Sequence, residues 1–390
     1  MINTSKAFNN QRILLIAPQP FYEDRGTPIA IRNTLNVLSD LGFKVDLATF
    51  PVGTPVDIPN VRVIRTVNLL GYKTVPVGLS LRKVVLDLFL IVTILRLACR
   101  NTYACVHGVE EGAAIGLLCK VLFGRPMIYD MQSSIPEQLQ IYKWLKVGPG
   151  RWLSLLFERW LIRSADCIIA SRGLAPYVHS IESGKTVFEF SFIGQDPRPR
   201  NEALARSLGV SQRPTVLYTG TFAPYQGLEG LIESAAMVQA EIPEVVFVLV
   251  GGIGDEIARL TRLKERYNLV DTVKLLPRQP REKIPDYLAL ADALVLPRIS
   301  GENAPLKIYE YLRCKIPIVA TNIPAHMAML SDKTAIIVAP NSEDISRGIL
   351  QVLRNSTHAS KVAMAAHSFL QTCKMKSMRE VLTEAYCLVS

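Results

Sequence analysis

The sequence predicts an α/β fold of two doubly wound domains facing a cleft. Three observations carry this. Short apolar strands alternate with longer helical patterns along all 390 residues, and such alternation makes mostly parallel sheets with helices on both faces. The alternation pauses at a proline- and arginine-rich stretch, Asp196-Pro197-Arg198-Pro199-Arg200, and starts afresh at Thr215. The length suits two domains of ordinary size.

In order, Arg12–Pro18, Lys44–Phe50, Val61–Thr66, Ala104–Val109 and Met127–Asp130 read as strands, because each is a short aliphatic run bounded by turn residues. Helical patterns fill the gaps at Pro28–Leu41, Leu81–Arg100, Ala113–Phe123, Glu137–Lys146 and Arg151–Ser164. Thr27 suits an N-cap and Pro28 a first helical residue. The second series has strands at Thr215–Thr219, Val245–Val250, Val273–Leu276, Ala293–Leu296, Ile316–Ala320 and Ala335–Val338. These place one domain over 1–195 and the other over 205–355, with helices in 356–390 crossing back onto the first.

Half of the chain is apolar (49%), enough for large cores, and the formal net charge is +10. Residues 1–195 hold 21 Lys/Arg against 14 Asp/Glu (+7), and residues 196–390 hold 23 against 20 (+3). A basic surface attracts nucleic acid, anionic lipid or phosphate-bearing substrates. No nucleic-acid recognition motif accompanies the charge, so nucleic acid is not expected as a partner. Seven scattered cysteines, most in apolar runs, form no C-x-x-C pair, which reads as reduced, buried thiols in a cytoplasmic protein, without disulfides or zinc. Residues 1–11 lack a signal-peptide core, and the apolar run Val84–Leu95, interrupted by Asp87, is too short to span a bilayer.

Ligands of doubly wound sheets bind beyond the carboxyl ends of the strands, so the strand-to-helix turns carry the chemistry. Glu302 and Glu310 follow the strand ending at Pro297, and a helix is expected to begin near Ala304–Leu306. A helix start favours an anion, while carboxylates beside it suit sugar hydroxyls. A sugar nucleotide has both parts. Arg298 and Lys307 are the cations nearest this pair and are candidates to neutralise a diphosphate. Gly26 would let a ligand approach the first turn closely, and Gly220 and Gly227 bracket an uncharged loop, Thr221–Gln226. Val250–Asp255 fails the G-x-G-x-x-G spacing, which disfavours a nicotinamide dehydrogenase.

In the first domain, Glu110 and Asp130 end strands and are candidate acceptor contacts; Glu111 shares the first of these turns, and His107 reads as a core histidine. Tyr142–Arg163 holds all three tryptophans among arginines and lysines. The stretch Trp144–Arg163 suits either an interfacial helix on an anionic membrane or a helix packed on the sheet with basic side chains reaching to water.

With these residues placed, the chain resembles the family 4 (group 1) glycosyltransferases of GT-B fold, built from two Rossmann-like domains. The resemblance is strongest in Ala291–Pro297 and in Glu302–Thr321 (ENAPLKIYEYLRCKIPIVAT), which looks like the family's E-x7-E element and the strand after it. It implies that Glu302 contacts the donor hexose, Glu310 the nucleotide ribose, and the N–H groups of Asn303 and Ala304 the sugar or phosphate. It implies a glycosyltransferase that moves sugar from a nucleotide diphosphate sugar with retained configuration, without metal or other cofactor, to a glycan or lipid-linked acceptor. Thr221 and Gln226 depart from the family, which places arginine and lysine there for the diphosphate; either Arg298 and Lys307 replace them, or the donor differs, or activity is lost. A nucleotide-sugar epimerase and a catalytically silent sugar-nucleotide-binding protein are the alternative readings.

Overall fold

The computed structural model describes residues 8, 11–23, 26–69, 71–72, 75, 80–136, 149–171, 173–190, 195–301, 304–372 and 376–389. The chain divides into two compact units, Met1–Ser191 with Met375–Ser390 and Phe192–Lys374.

The first unit holds seven strands: β1 Arg12–Ala17, β2 Lys44–Thr49, β3 Val61–Arg65, β4 Cys105–Val109, β5 Met127–Met131, β6 Cys167–Ser171 and β7 Val187–Phe190. They pair in the order β3-β2-β1-β4-β5-β6-β7, and every pairing is parallel. Successive strand residues face opposite ways, and β1 uses both sides. Ile13, Leu15 and Ala17 pack with Ile31, Leu35 and Leu38 of the helix Gly26–Asp40. Leu14 and Ile16 pack with Leu86, Leu90 and Ile94 of the helix Leu81–Arg100. This two-sided burial explains why β1 reads as a continuous apolar run.

The second unit holds β8 Thr215–Thr219, β9 Val246–Gly252, β10 Val273–Pro277, β11 Ala293–Leu296, β12 Ile318–Thr321 and β13 Ile336–Val338. Their order is β10-β9-β8-β11-β12-β13, again all parallel. Both units are thus Rossmann-like, with the strand order reversing beside the first strand of each sheet.

The structure departs from the sequence reading in four places. The return to the first unit comes later than residue 356: the helix Ser356–Thr372 stays with the second unit and packs on the helix Lys307–Arg313, and only Met378–Val389 joins the first. That last helix contributes Val381, Leu382, Ala385 and Tyr386 to the first core. Strands β6 and β7 were not anticipated. β7 is four residues with a central Glu189, whose carboxylate accepts from the Gly173 and Ala175 N–H groups rather than lying exposed. The interdomain stretch also contains a short helix, Glu202–Ser207, capped by Asn201. Of the cysteines, 105, 119 and 167 are buried, whereas 99 and 387 are exposed. The predicted helix Glu137–Lys146 lies outside the described residues. Among the described residues no helix is long and apolar enough to cross a membrane.

Candidate functional site

The switch point of the second sheet lies between β8 and β11, where open α/β sheets present their ligand crevice. β8 runs into Gly220, whose φ of 138° lies in a region that side-chain-bearing residues rarely adopt. The neighbouring backbone is close: a Cβ on Gly251 would lie 2.3 Å from the Gly220 carbonyl oxygen. The loop then makes a single turn of 3-10 helix, Pro224–Gln226, and ends at Gly227 with φ 71°. A Cβ on Gly227 would lie 2.0 Å from the Pro297 oxygen, so glycine is what lets this loop press against the end of β11.

Lys307 enters this crevice from the helix Lys307–Arg313. Its Nζ donates to Oε1 of Gln226 at 3.3 Å and stands 4.0 Å from the ring centroid of Tyr218. A Cβ on Gly220 would be 2.5 Å from the same Nζ. Among the described residues no carboxylate lies within ion-pair distance of it. Burial, reinforced by the charge of Arg298, pushes the Lys307 ammonium down to about 7, with Glu310 acting in the opposite sense. A buried ammonium without a carboxylate is costly and is the feature of the unit that most calls for an anion.

Arg298 follows β11. Its Nε donates to the Ser300 oxygen at 2.6 Å, and its guanidinium lies 5.2 Å from the Tyr225 ring centroid. Gly301, with φ 135°, passes close under it: a Cβ there would lie 2.0 Å from Arg298 Nη2. The loop is tied down from β12, because Thr321 Oγ1 donates to the Arg298 oxygen at 2.5 Å and Ala325 N donates to the Gly301 oxygen at 3.0 Å. Glu302 and Asn303 lie outside the described residues. Ala304 is buried (7% exposed), and the helix starts at Lys307, later than the expected 304–306.

Glu310 sits one turn into that helix. Its Oε1 accepts from Arg281 Nη2 at 3.1 Å, and burial raises its carboxyl while the Arg281 and Lys307 charges oppose the shift. Arg281 comes from the turn after β10 and was not singled out in the sequence. Its contact with Glu310 joins residues 29 apart, which no local spacing could reveal. Tyr218 and Tyr311 were also missed. Tyr311 OH accepts from Thr219 N at 2.9 Å and Tyr218 OH donates to the Thr221 oxygen at 2.8 Å, so these phenols hold the end of β8. Thr221 contributes its backbone, and its neighbour Phe222 is fully buried with its oxygen accepting from Arg259 Nη2 at 2.7 Å.

In the first unit, Gly26 opens the first helix and has nothing within 4 Å of a Cβ built on it. Asp24 and Arg25 lie outside the described residues. Glu110 follows β4 with φ 50° and accepts from Ser133 Oγ at 3.1 Å. Burial first, and then the Glu111 charge, raise its carboxyl to about 8. Glu111 is ion-paired with Lys83, and burial raises nearby Asp87 to about 7.

Asp130 does not present its carboxylate to a ligand as expected. It is 2% exposed, its Oδ2 lies 3.2 Å from His107 Nε2, and its Oδ1 accepts from Gln132 Nε2 at 2.5 Å. His107 Nδ1 in turn meets Tyr386 OH at 2.7 Å. A buried carboxylate needs such partners, and here it links two strands to the last helix. Among the described residues no three His, Cys, Asp or Glu side chains converge to hold a metal ion.

Two parallel Rossmann-like units of this kind define the GT-B class of fold. Over 97% of its length the chain superposes on 98% of the sucrose-phosphate synthase of Thermosynechococcus elongatus, with a TM-score of 0.79 and 20% identity. It matches the Anabaena protein HepE in complex with UDP-glucose with a TM-score of 0.72 and 17% identity, over 96% of this chain and 98% of that one. Residues 200–369 match the model of the glycosyl transferases group 1 family. A curated relative, the alpha-D-kanosaminyltransferase of Streptomyces kanamyceticus, is 30% identical over 149 residues, 38% of either chain. The chain spans about half the length or less of the first curated relatives it matches.

Proposed function

We propose that this protein is a glycosyltransferase that moves a sugar from a nucleoside diphosphate sugar to a hydroxyl acceptor with retained anomeric configuration and without a metal. The observation that carries this is the carboxylate-free Lys307 ammonium at the β8–β11 switch point, against the backbone of Gly220. A diphosphate supplies the anion that this group lacks. The match of residues 200–369 to a transferase family model supports the reading, as does the likeness to HepE, whose structure contains UDP-glucose.

In this reading the donor lies on the second unit. Glu310, oriented by Arg281, accepts from the ribose hydroxyls, and Glu302 with the N–H groups of Asn303 and Ala304 addresses the sugar. When the diphosphate departs it leaves an oxocarbenium-like centre. Lys307 and Arg298 stabilise the charge that grows on the leaving group, which is where preorganised cations lower a barrier most. The acceptor hydroxyl loses its proton to the departing phosphate. Glu110, raised to about 8 and so carrying its proton at neutral pH, donates a hydrogen bond to the acceptor on the first unit.

The acceptor is a glycan or a lipid-linked glycan. The helix Pro149–Ser164 exposes Trp152 (60%), Leu153 (58%), Leu156, Phe157 and Trp160 (53%). At about 100° per residue these five fall within an arc of about 140°, with Arg159 at its edge and Arg163 within it. The opposite side buries Ser154, Glu158, Leu161 and Ile162. Aromatic residues bordered by arginines suit the headgroup region of an anionic bilayer, and the protein carries a net +10. Trp144 belongs to the same sequence run but lies outside the described residues.

A thermal-shift screen of uridine, guanosine and adenosine diphosphate sugars tests the donor reading, since a ligand of the native state raises its melting temperature. At least one donor should stabilise the protein and release nucleoside diphosphate when a lipid-linked glycan is added. No stabilisation by any of the three classes would overturn the proposal.

A further inference from the structure

The apolar exposure of the first unit is one-sided. The helices Leu81–Arg100, Gly112–Phe123 and Pro149–Ser164 cover one face of its sheet, because the middle helix shares a core with each of the others, through Ile115 and Cys119 with Leu90 and through Leu117 with Leu161. Among the described residues these three helices expose ten large apolar side chains. Five are those given above on Pro149–Ser164; the others are Val84, Leu88 and Val92 on the first helix and Val121 and Leu122 at the end of the middle one. The helices on the opposite face, Gly26–Asp40 and Met378–Val389, expose one, Leu388. Single exposed apolar residues are ordinary, but a row of them marks a contact surface.

On Leu81–Arg100 the core residues are Leu86, Leu90 and Ile94, whereas Val84, Leu88 and Val92 are 50%, 59% and 44% exposed. At about 100° per residue the two rows lie about 160° apart, so the second points away from the sheet with one apolar side chain per turn. Arg82, Arg96 and Arg100, all exposed, run along one edge of that row. The row begins beside Lys83, whose ammonium pairs with Glu111, and so starts next to the turn that carries Glu110. A second copy of the chain does not suit this surface. The helix carries Arg82, Lys83, Arg96 and Arg100 against one carboxylate, Asp87, and the single carboxylate of Pro149–Ser164, Glu158, is buried. A self-complementary contact would set arginines against arginines. An anionic bilayer meets both features, with an acyl boundary for the apolar row and headgroups for the arginines. Resting on the membrane reading given above for Pro149–Ser164, we propose that Leu81–Arg100 is a second membrane contact. It lies in the surface of an anionic bilayer through Val84, Leu88 and Val92, with its arginines on the lipid headgroups.

The test is sedimentation of the full chain at low salt across a lipid titration, with vesicles of phosphatidylglycerol and phosphatidylcholine and with phosphatidylcholine alone. The parent should bind the anionic vesicles. The double variant L88Q/V92Q should weaken that binding at least about tenfold with an unchanged melting temperature, since both side chains are exposed. The double variant R96Q/R100Q should weaken it about tenfold on the anionic vesicles. Leu388→Gln, on the opposite face, should bind as the parent does. Should L88Q/V92Q not fold, L88A/V92A keeps the helix and should weaken binding in the same direction. Parent-like binding by a folded Leu88 and Val92 variant, or an equal loss with Leu388→Gln, would overturn the proposal and leave Pro149–Ser164 as the membrane contact. A parent that elutes as a dimer and an L88Q/V92Q variant that elutes as a monomer would overturn it too, naming a second copy as the occupant. A parent that binds neither kind of vesicle would instead remove the membrane reading itself, with the donor site untouched.

Discussion

Lys307 makes the stability of the ligand-free protein depend on pH in a way that can be worked out beforehand. Its folded-state pKa is lowered to about 7, while an unfolded lysine keeps a value of about 10.4. Between these values the unfolded chain binds more protons than the folded one, so the contribution to stability grows as pH rises. The limiting slope is about 1.4 kcal/mol per pH unit, or about 2–3 kcal/mol between pH 7.5 and 9.5. Glu110 and Asp87, raised to about 8 and about 7, act oppositely: their contribution is full in acid and is lost as pH rises through those values. Both lie in the other unit, so comparison with Lys307→Met cancels them. Urea unfolding at four pH values from 6 to 9.5 measures the difference. The parent should be the less stable protein near pH 7 and should gain on the variant as pH rises. Parallel curves across this range would show that the ammonium is not desolvated and would refute the reasoning.

Other consequences follow from close packing and from the buried network. Gly227→Ala should cost more than about 3 kcal/mol and weaken nucleotide binding, because its Cβ would strike the Pro297 oxygen at an unfavourable φ. Gly230→Ala, in the helix Leu228–Glu241 with nothing within 4 Å, should stabilise by about 0.5–1 kcal/mol; melting temperatures of the two variants should move in opposite directions. Tyr386→Phe leaves His107 Nδ1 without its partner at 2.7 Å and should cost about 1–3 kcal/mol in urea unfolding; no change would mean that water replaces the phenol. Trp152→Ala with Trp160→Ala should abolish sedimentation with anionic vesicles at low salt without changing the melting temperature, since both rings are exposed; undiminished sedimentation would reject the helix as the membrane contact.

Much of the architecture is legible in the sequence, because parallel strands buried on both faces leave unbroken runs such as RILLIA and VFVLVGG. The helix limits were visible to within two residues at Leu81–Arg100 and Pro149–Ser164, where apolar spacing is long and regular. Strand β7 was not, because Glu189 interrupts a four-residue run and finds its partners only in the folded chain. The late return of the chain at residue 375 was equally hidden. Ser356–Thr372 and Met378–Val389 are both helices, and only packing distinguishes the unit each joins.

At the site, sequence indicated which turns matter and which cations stand near them. It could not indicate that Asp130 faces inward, because a strand-end carboxylate looks the same whether a ligand or a buried histidine receives it. Nor could it show Arg281 on Glu310, or Gln226 on Lys307 across 81 residues. Those contacts are made by the sheet order, not by any local pattern.

The most direct measurement is a crystal structure with a nucleoside diphosphate sugar bound. The account predicts the diphosphate at the ends of β8 and β11, with an oxygen within hydrogen-bond distance of Lys307 Nζ and the ribose hydroxyls on Glu310. A nucleotide bound elsewhere, with Lys307 still on Gln226 alone, would contradict it.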